Sequence, residues 1–242
     1  MIKPLYWHRL PSDVILEALP GLLWKPSNRL SAASGTAALM LLVALHFMGE
    51  EVHEEVETFS GPFITRRIAA ASYDDLHAAT GLSRKLISQG LQRLQELNLV
   101  TPTGSHQKRR YRLTWSNGGW FKLPCQAIVR SGVILPFQNL TLRSPHELYA
   151  LKIYLYLAAR RDNHKAFSLA SYETIAASTK VSERHIRKAL LTLTLCGLMV
   201  NINRSREDGD KVYGPNMYYL AGYHQLFKGA ALTGGTPEAV AA

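Results

Sequence analysis

Hydrophobic and polar positions alternate between two periods, and the alternation runs through the chain twice. Residues 36–48 are continuously apolar, which predicts a buried helix. Residues 62–69 read as a short strand. Residues 73–80 read as a short helix, with Ser72 as its cap and Asp74 and Asp75 in the first turn, where the helix dipole favours acidic groups. Gly81 breaks that helix, because only glycine enters a left-handed turn at low cost. Ser83 caps a longer helix whose apolar positions Leu82, Leu86, Ile87, Leu91, Leu94 and Leu97 keep helical spacing. From Val100 to Trp115 two extended segments flank Gly104-Ser105. There Tyr111, Leu113 and Trp115 alternate with Arg110, Arg112 and Thr114, predicting a hairpin with one packed and one basic face. The second pass predicts a helix over 146–160, a strand over 166–169, a short helix over 172–179 and a long helix capped by Ser182 and ended by Gly197. Extended segments at 199–203 and 212–220 then flank a charged tip, 204–211.

The second pass is a copy of the first. Ser72, Tyr73, Ala78, Thr80, Ser83 and Ile87 recur as identical residues 99 positions later, and the alignment runs without a gap through Leu91/Leu190, Leu94/Leu193 and Leu99/Leu198. Upstream, Trp7–Pro11 pairs with Trp120–Pro124, and Leu10/Leu123, Pro11/Pro124, Ile15/Ile128, Ser31/Ser144 and Ala37/Ala150 share an offset of 113. The difference, 14 residues, is an insertion in the first copy. Glu50–Glu57 is the expected place, as a solvated loop or helix end. Trp7 and Trp120 are expected to pack each copy's N-terminal arm onto its own helices.

Helix, strand, helix, turn, helix, hairpin is the winged-helix order. Leu76–Ser83 with Ile87 and Leu91, and Ile175–Ser182 with Ile186 and Leu190, resemble the helix-turn-helix pattern of bacterial DNA-binding proteins. The first copy departs from the pattern with His77 at a usually small position, the second with Lys180 at a usual glycine. The expected fold class is mainly α with small β-hairpins (α+β), as two tandem winged helix-turn-helix domains. The first spans 1–115 and the second 116–222, with 223–242 expected as a flexible tail.

Composition narrows the chemistry. The net charge is +10 and the pI about 9.7, which favours a polyanionic partner. Cys125 and Cys196 form no metal-binding spacing, and two isolated thiols fit a reducing cytoplasm. The apolar run at 37–48 is too short for a bilayer span, which needs about 20 residues. The N-terminus has no signal-peptide pattern. Phosphate-binding glycine loops, nucleophile elbows and metal-ligand motifs are absent from the sequence, so no enzyme activity, cofactor or metal is expected.

In helix-turn-helix docking the second helix enters the major groove. Its candidate DNA-binding residues are Ser83, Arg84, Lys85, Ser88, Gln89 and Gln92 in the first copy, and Ser182, Arg184, Arg187 and Lys188 in the second. Arginine can bond guanine in two places, and glutamine can do the same with adenine. Leu191 completes the second exposed set, and Glu183 there would accept from cytosine or repel phosphate. In the hairpins, Lys108, Arg109, Arg110 and Arg112, and more loosely Arg204, Arg206 and Lys211, are candidates for phosphate or minor-groove contacts. The first copy is expected to make the main DNA contact.

The tandem arrangement resembles bacterial plasmid and phage replication initiators. That resemblance implies a nucleoid-associated cytoplasmic protein that binds origin DNA, with a second copy or the replication or transcription machinery as further partners. A transcriptional regulator using the same two helices and a winged-helix protein adaptor are the alternatives.

Overall fold

Residues 2, 5–24, 30–58, 61–104, 109–116, 118–206 and 213–226 are described in a computed structural model, with backbone alone for 53–58, 61–65, 204–206 and 213. In chain order the elements are β1 (Trp7–Pro11), α1 (Ser12–Ala18), a 3-10 turn (Leu19–Gly21), α2 (Ser34–Met48), β2 (Gly49–Thr58), β3 (Gly61–Ala70), α3 (Tyr73–Thr80), α4 (Arg84–Glu96), β4 (Val100–Thr103) and β5 (Arg110–Leu113). Then follow β6 (Trp120–Pro124), β7 (Val129–Arg130), β8 (Val133–Ile134), α5 (Leu135–Gln138), α6 (Pro145–Ala159), β9 (Ser168–Ala170), α7 (Tyr172–Thr179), α8 (Glu183–Cys196), β10 (Met199–Arg206), β11 (Tyr213–Leu220) and a 3-10 turn (Tyr223–Gln225). Helix and strand are mixed, as an α+β chain requires.

The same plan is built twice. α2 and α6 are buried on nearly every side, which explains why neither sequence shows an amphipathic stripe. α4 packs across α2, and α8 across α6. The strands order as β2-β3-β5-β4 in one sheet and as β10-β11-β9 in the other, so β3, β5 and β4 correspond to β9, β11 and β10. Gly90 marks the crossing of α4 on α2. A Cβ there would stand 3.0 Å from the Ala37 carbonyl carbon, 3.1 Å from the Ala38 nitrogen and 2.7 Å from Leu41 Cδ1. The second copy holds the small, buried Ala189 at this place.

Two expectations are corrected. The acidic segment Glu50–Glu57 is neither loop nor helix end: it runs through β2, which pairs with β3 from Gly49↔Ala69 outward. Glutamate is a poor strand former, so the signal lay in its partner. Glu51 sits opposite Arg67, and their side chains approach to 3.7 Å. The tryptophans also depart from expectation, in part. Trp7 and Trp120 stack on each other, centroids 5.8 Å apart and 8° from parallel, with Arg9 over Trp120 and Lys122 over Trp7. They share one face of a ribbon in which β1 pairs with β6; Trp120 is exposed there, whereas Trp7 is half-buried and still packs against the core, as expected. Seating the arms falls to the alternate residues His8, Leu10, Phe121 and Leu123, all buried.

That ribbon joins equivalent parts of the two copies. Arg9 lies opposite Lys122, and Leu10 opposite Phe121 just as His8 lies opposite Leu123. Under the 113-residue offset these pairings exchange with one another, so a local twofold axis passes through the Arg9–Lys122 pair. α2 and α6 also touch at equivalent residues, since a Cβ on Gly35 would meet Leu148 at 3.3 Å. The arms cross between copies. The Leu19–Gly21 turn lies on α7, β8 lies on α3, and a Cβ on Gly81 would meet Gln138 of α5 at 2.9 Å. One continuous apolar core results, running from Leu10 and Leu41 through Leu148 and Tyr154 to Tyr218. The segment expected as tail begins inside it: Tyr223 is buried and its hydroxyl donates to the Lys122 carbonyl at 2.7 Å. Residues 227–242 lie outside the described part.

Lys152 is the exception in this core. It is buried on α6, its ammonium donates to the Leu22 carbonyl at 3.2 Å, and burial pushes its pKa down to about 8. The equivalent residue of the first copy is Leu39. Replacing Lys152 with leucine is expected to stabilise the fold by about 2 kcal/mol near neutral pH, because a desolvated charge is removed. Between pH 8 and 10.5 the unfolded lysine holds a proton that the folded one has lost, so wild-type stability rises with pH there. The gap between the two proteins in urea unfolding should therefore narrow across that window. At the helix crossing, Gly90→Val is expected to cost about 2 kcal/mol or more, measured the same way, against the ordinary gain from replacing a helical glycine.

Candidate nucleic-acid interface

The turn between the short and long helix is held by the same bonds in both copies. The Thr80 hydroxyl donates to the Leu76 carbonyl at 2.6 Å and accepts from the Leu82 amide at 3.3 Å. The Thr179 hydroxyl donates to Ile175 at 2.7 Å and accepts from Val181 at 3.2 Å. This threonine satisfies a backbone amide that the chain reversal removes from the helix. Upstream, Ser72 and Asp75 form a reciprocal capping box, and Ser171 accepts from the Thr174 amide.

The two departures from the helix-turn-helix pattern have distinct consequences. His77 braces its turn, its Nδ1 lying 2.8 Å from the Leu82 carbonyl. Lys180 takes the left-handed conformation that Gly81 takes in the first copy, φ 56° against 75°. For a residue with a Cβ this stores about 1–2 kcal/mol. An exposed cation is thus held in the turn leading into α8 at a cost in stability.

On α4, Lys85 and Ser88 are exposed. Arg84 is exposed but lies 2.6 Å from Asp74 of α3, an open ion pair of small worth that a phosphate or base could displace. Ser83 caps α4 through the Leu86 amide at 3.4 Å. Gln92 donates to Glu96 at 3.1 Å. Gln89 departs from its expected exposure: it is half-buried, and its side-chain oxygen accepts from the Ser31 hydroxyl at 2.5 Å. Gln89 thereby ties α4 to the segment leading into α2. On α8, Arg184, Arg187 and Lys188 are exposed, and Arg184 Nε lies 3.2 Å from His185 Nε2. Ser182 stands at the cap position but its side chain makes no capping bond.

In the first hairpin Arg110 is exposed, Arg112 is half-exposed, and Arg109 lies over the Tyr73 ring at 4.2 Å. Between α4 and this hairpin runs an open groove of about 340 Å3, lined among others by Ser88, Gln92, Arg109 and Arg110. The structure therefore brings together on one face residues that the sequence separates by some twenty positions. Lys108 and Lys211 lie outside the described residues. Arg204 and Arg206 belong to β10, but their side chains are not described. Two residues carry no site signal in the sequence: Lys180 reads only as a break in the pattern, and Tyr73 only as a repeat marker, although it is the platform under Arg109.

Residues 147–199, from α6 through α8, match a family model described as a helix-turn-helix domain. The match supports a DNA-binding helix-turn-helix in this part of the chain. No curated protein and no solved structure matches the chain. Among the described residues no helix is long and apolar enough to cross a membrane.

Lys180→Gly separates stability from binding. It is expected to raise unfolding stability by about 1 kcal/mol by relieving the left-handed strain. In fluorescence anisotropy the same change should weaken duplex binding and make it less salt-dependent, through loss of one cation.

Proposed function

We propose that the chain is a sequence-specific binder of double-stranded DNA, built from two winged helix-turn-helix units, 1–115 and 116–222. The observation that carries this reading is the shared core. α4 and α8 are not on independent domains: β1–β6 pairing, the α2–α6 contact and the crossed arms hold them in one fixed relation. A single chain thus has the symmetry of an isologous dimer. It suits two half-sites in inverted orientation, about one helical turn apart. The reading surfaces differ between units, so the half-sites should differ in sequence. The first unit, with Arg84, Lys85, Ser88 and the arginines beside its groove, makes the main contact.

Resemblance to plasmid and phage replication initiators extends the reading to an origin-binding role. Two readers fixed in one chain fit repeated composite sites. The test of that role is whether the protein supports replication of a plasmid that carries its selected site and lacks another initiator.

Selection of bound sequences from a random duplex pool should return two unequal inverted half-sites. A single half-site, or two with freely varying spacing, would contradict the fixed relation of α4 and α8. Arg84→Ala with Lys85→Ala should reduce affinity at moderate salt by about tenfold or more, with relaxed preference in one half-site only. Arg110→Ala should weaken binding evenly across sequences and lower the salt slope by about one.

A further inference from the structure

The two copies share a scaffold, so residues that differ at matching exposed positions reflect use and not folding. On the outer face of α8, Leu191 is 56% and Leu195 is 74% exposed, and Val200, just past the helix, is 67% exposed. At the same places the first copy carries Gln92, Glu96 and Thr101, all exposed. Val200 is also lifted out by a bulge: the β10–β11 register shifts between Met199 and Asn201, whereas Val100 and Thr101 pair regularly with Leu113 and Arg112. Side-chain changes thus leave Leu191 and Leu195, one turn apart on α8, as an exposed apolar patch, with Val200 exposed just past the end of the helix.

We propose that this patch is an interface with a second copy of the chain, the C-terminal halves of two α8 helices packing antiparallel about a twofold axis between Leu191 and Leu195. The charge arrangement favours that occupant. α8 carries Arg184, Arg187 and Lys188 in its N-terminal half and exposes an apolar face in its C-terminal half. Antiparallel overlap lays leucine against leucine and sets Lys188 and Arg187 beside the partner helix's C-terminal carbonyls, where the dipole favours cations. Parallel pairing would set the cations against each other. The overlap leaves Ser182–Arg184 outside the contact, still open to phosphate. The patch is smaller than a stable dimer needs, roughly 800 Å2 per partner, so association is weak and depends on concentration. The proposal extends the DNA-binding reading by naming a protein partner for the second unit, but its geometry does not require that reading.

The test is sedimentation of the full chain without DNA, from roughly 1 to 200 µM, the range in which weak association of this kind is read. The average mass should rise from 27.0 kDa toward twice that value. The variant Leu191→Gln, Leu195→Glu, Val200→Thr carries the residues the first copy folds with, and should shift the midpoint by at least about tenfold. Under oxidation, an equal mixture of Leu191→Cys and Leu195→Cys chains should cross-link more than either alone; Cys125 and Cys196 are buried. A wild-type chain that stays monomeric throughout, or a variant that dimerises as before, would overturn the proposal. So would a monomeric chain whose triple variant loses duplex affinity, since the patch would then touch DNA. Failure of the DNA-binding reading would appear only in the anisotropy and selection experiments and would leave the sedimentation result intact.

Discussion

The pairing of β1 with β6 is the contact on which the arrangement depends. It is a small ribbon, but its inner residues His8, Leu10, Phe121 and Leu123 are buried, with β1 against α2, where His8 meets Phe47, and β6 against α6. Arg67 fixes one side of this junction. Its guanidinium bonds His8 Nδ1 at 3.2 Å and the His46 carbonyl at 3.3 Å, and it lies near Glu51, so one side chain joins β1, α2, β2 and β3. Burial holds its pKa below the usual arginine value, with Glu51 opposing the shift. With the arms crossed, neither helix-turn-helix has a complete core of its own. α3 needs β8 from the second copy, and α7 needs the Leu19–Gly21 turn from the first.

α4 and α8 are then each positioned from two directions. α4 is held from beneath by its close crossing at Gly90. Along its length it is held by the Gln89–Ser31 bond and by Arg93, which donates to the Gly21 carbonyl at 3.1 Å. Because Gly21 belongs to the arm that also touches α7, the bond links the placement of α4 in the first copy to that of α7 in the second. Rigid placement of this kind gives a binding protein specificity through spacing as well as through base contacts. It also leaves the exposed surfaces free to diverge. The first copy surrounds a polar groove with arginines, while the second places a strained lysine before α8 and an apolar patch behind it.

Much of this was legible residue by residue. Helix boundaries, the caps at Ser72 and Ser83, the glycine at the first turn and both hairpins follow from local rules, because each depends on neighbours within one or two turns of chain; Ser182 reads as a cap by the same rules but makes no capping bond. The duplication was legible for the same reason, since copied local rules leave copied residues. The β2–β3 hairpin was not, because its acidic strand has no strand propensity of its own and depends on pairing with β3. Gln89 read as exposed from helical spacing alone, yet Ser31 occupies its side chain from 58 residues away.

By itself the sequence determined that two copies of one helix, turn, helix and hairpin plan follow one another in a basic chain, since hydrophobic period, capping residues and charge are properties of short segments. Only the tertiary structure decided that the two share one core. Whether β1 pairs with β6, or an arm crosses to the other copy, depends on which buried surfaces fit across more than a hundred residues. Apolar burial rewards any such fit without direction, so the order of residues along the chain does not reveal the partner.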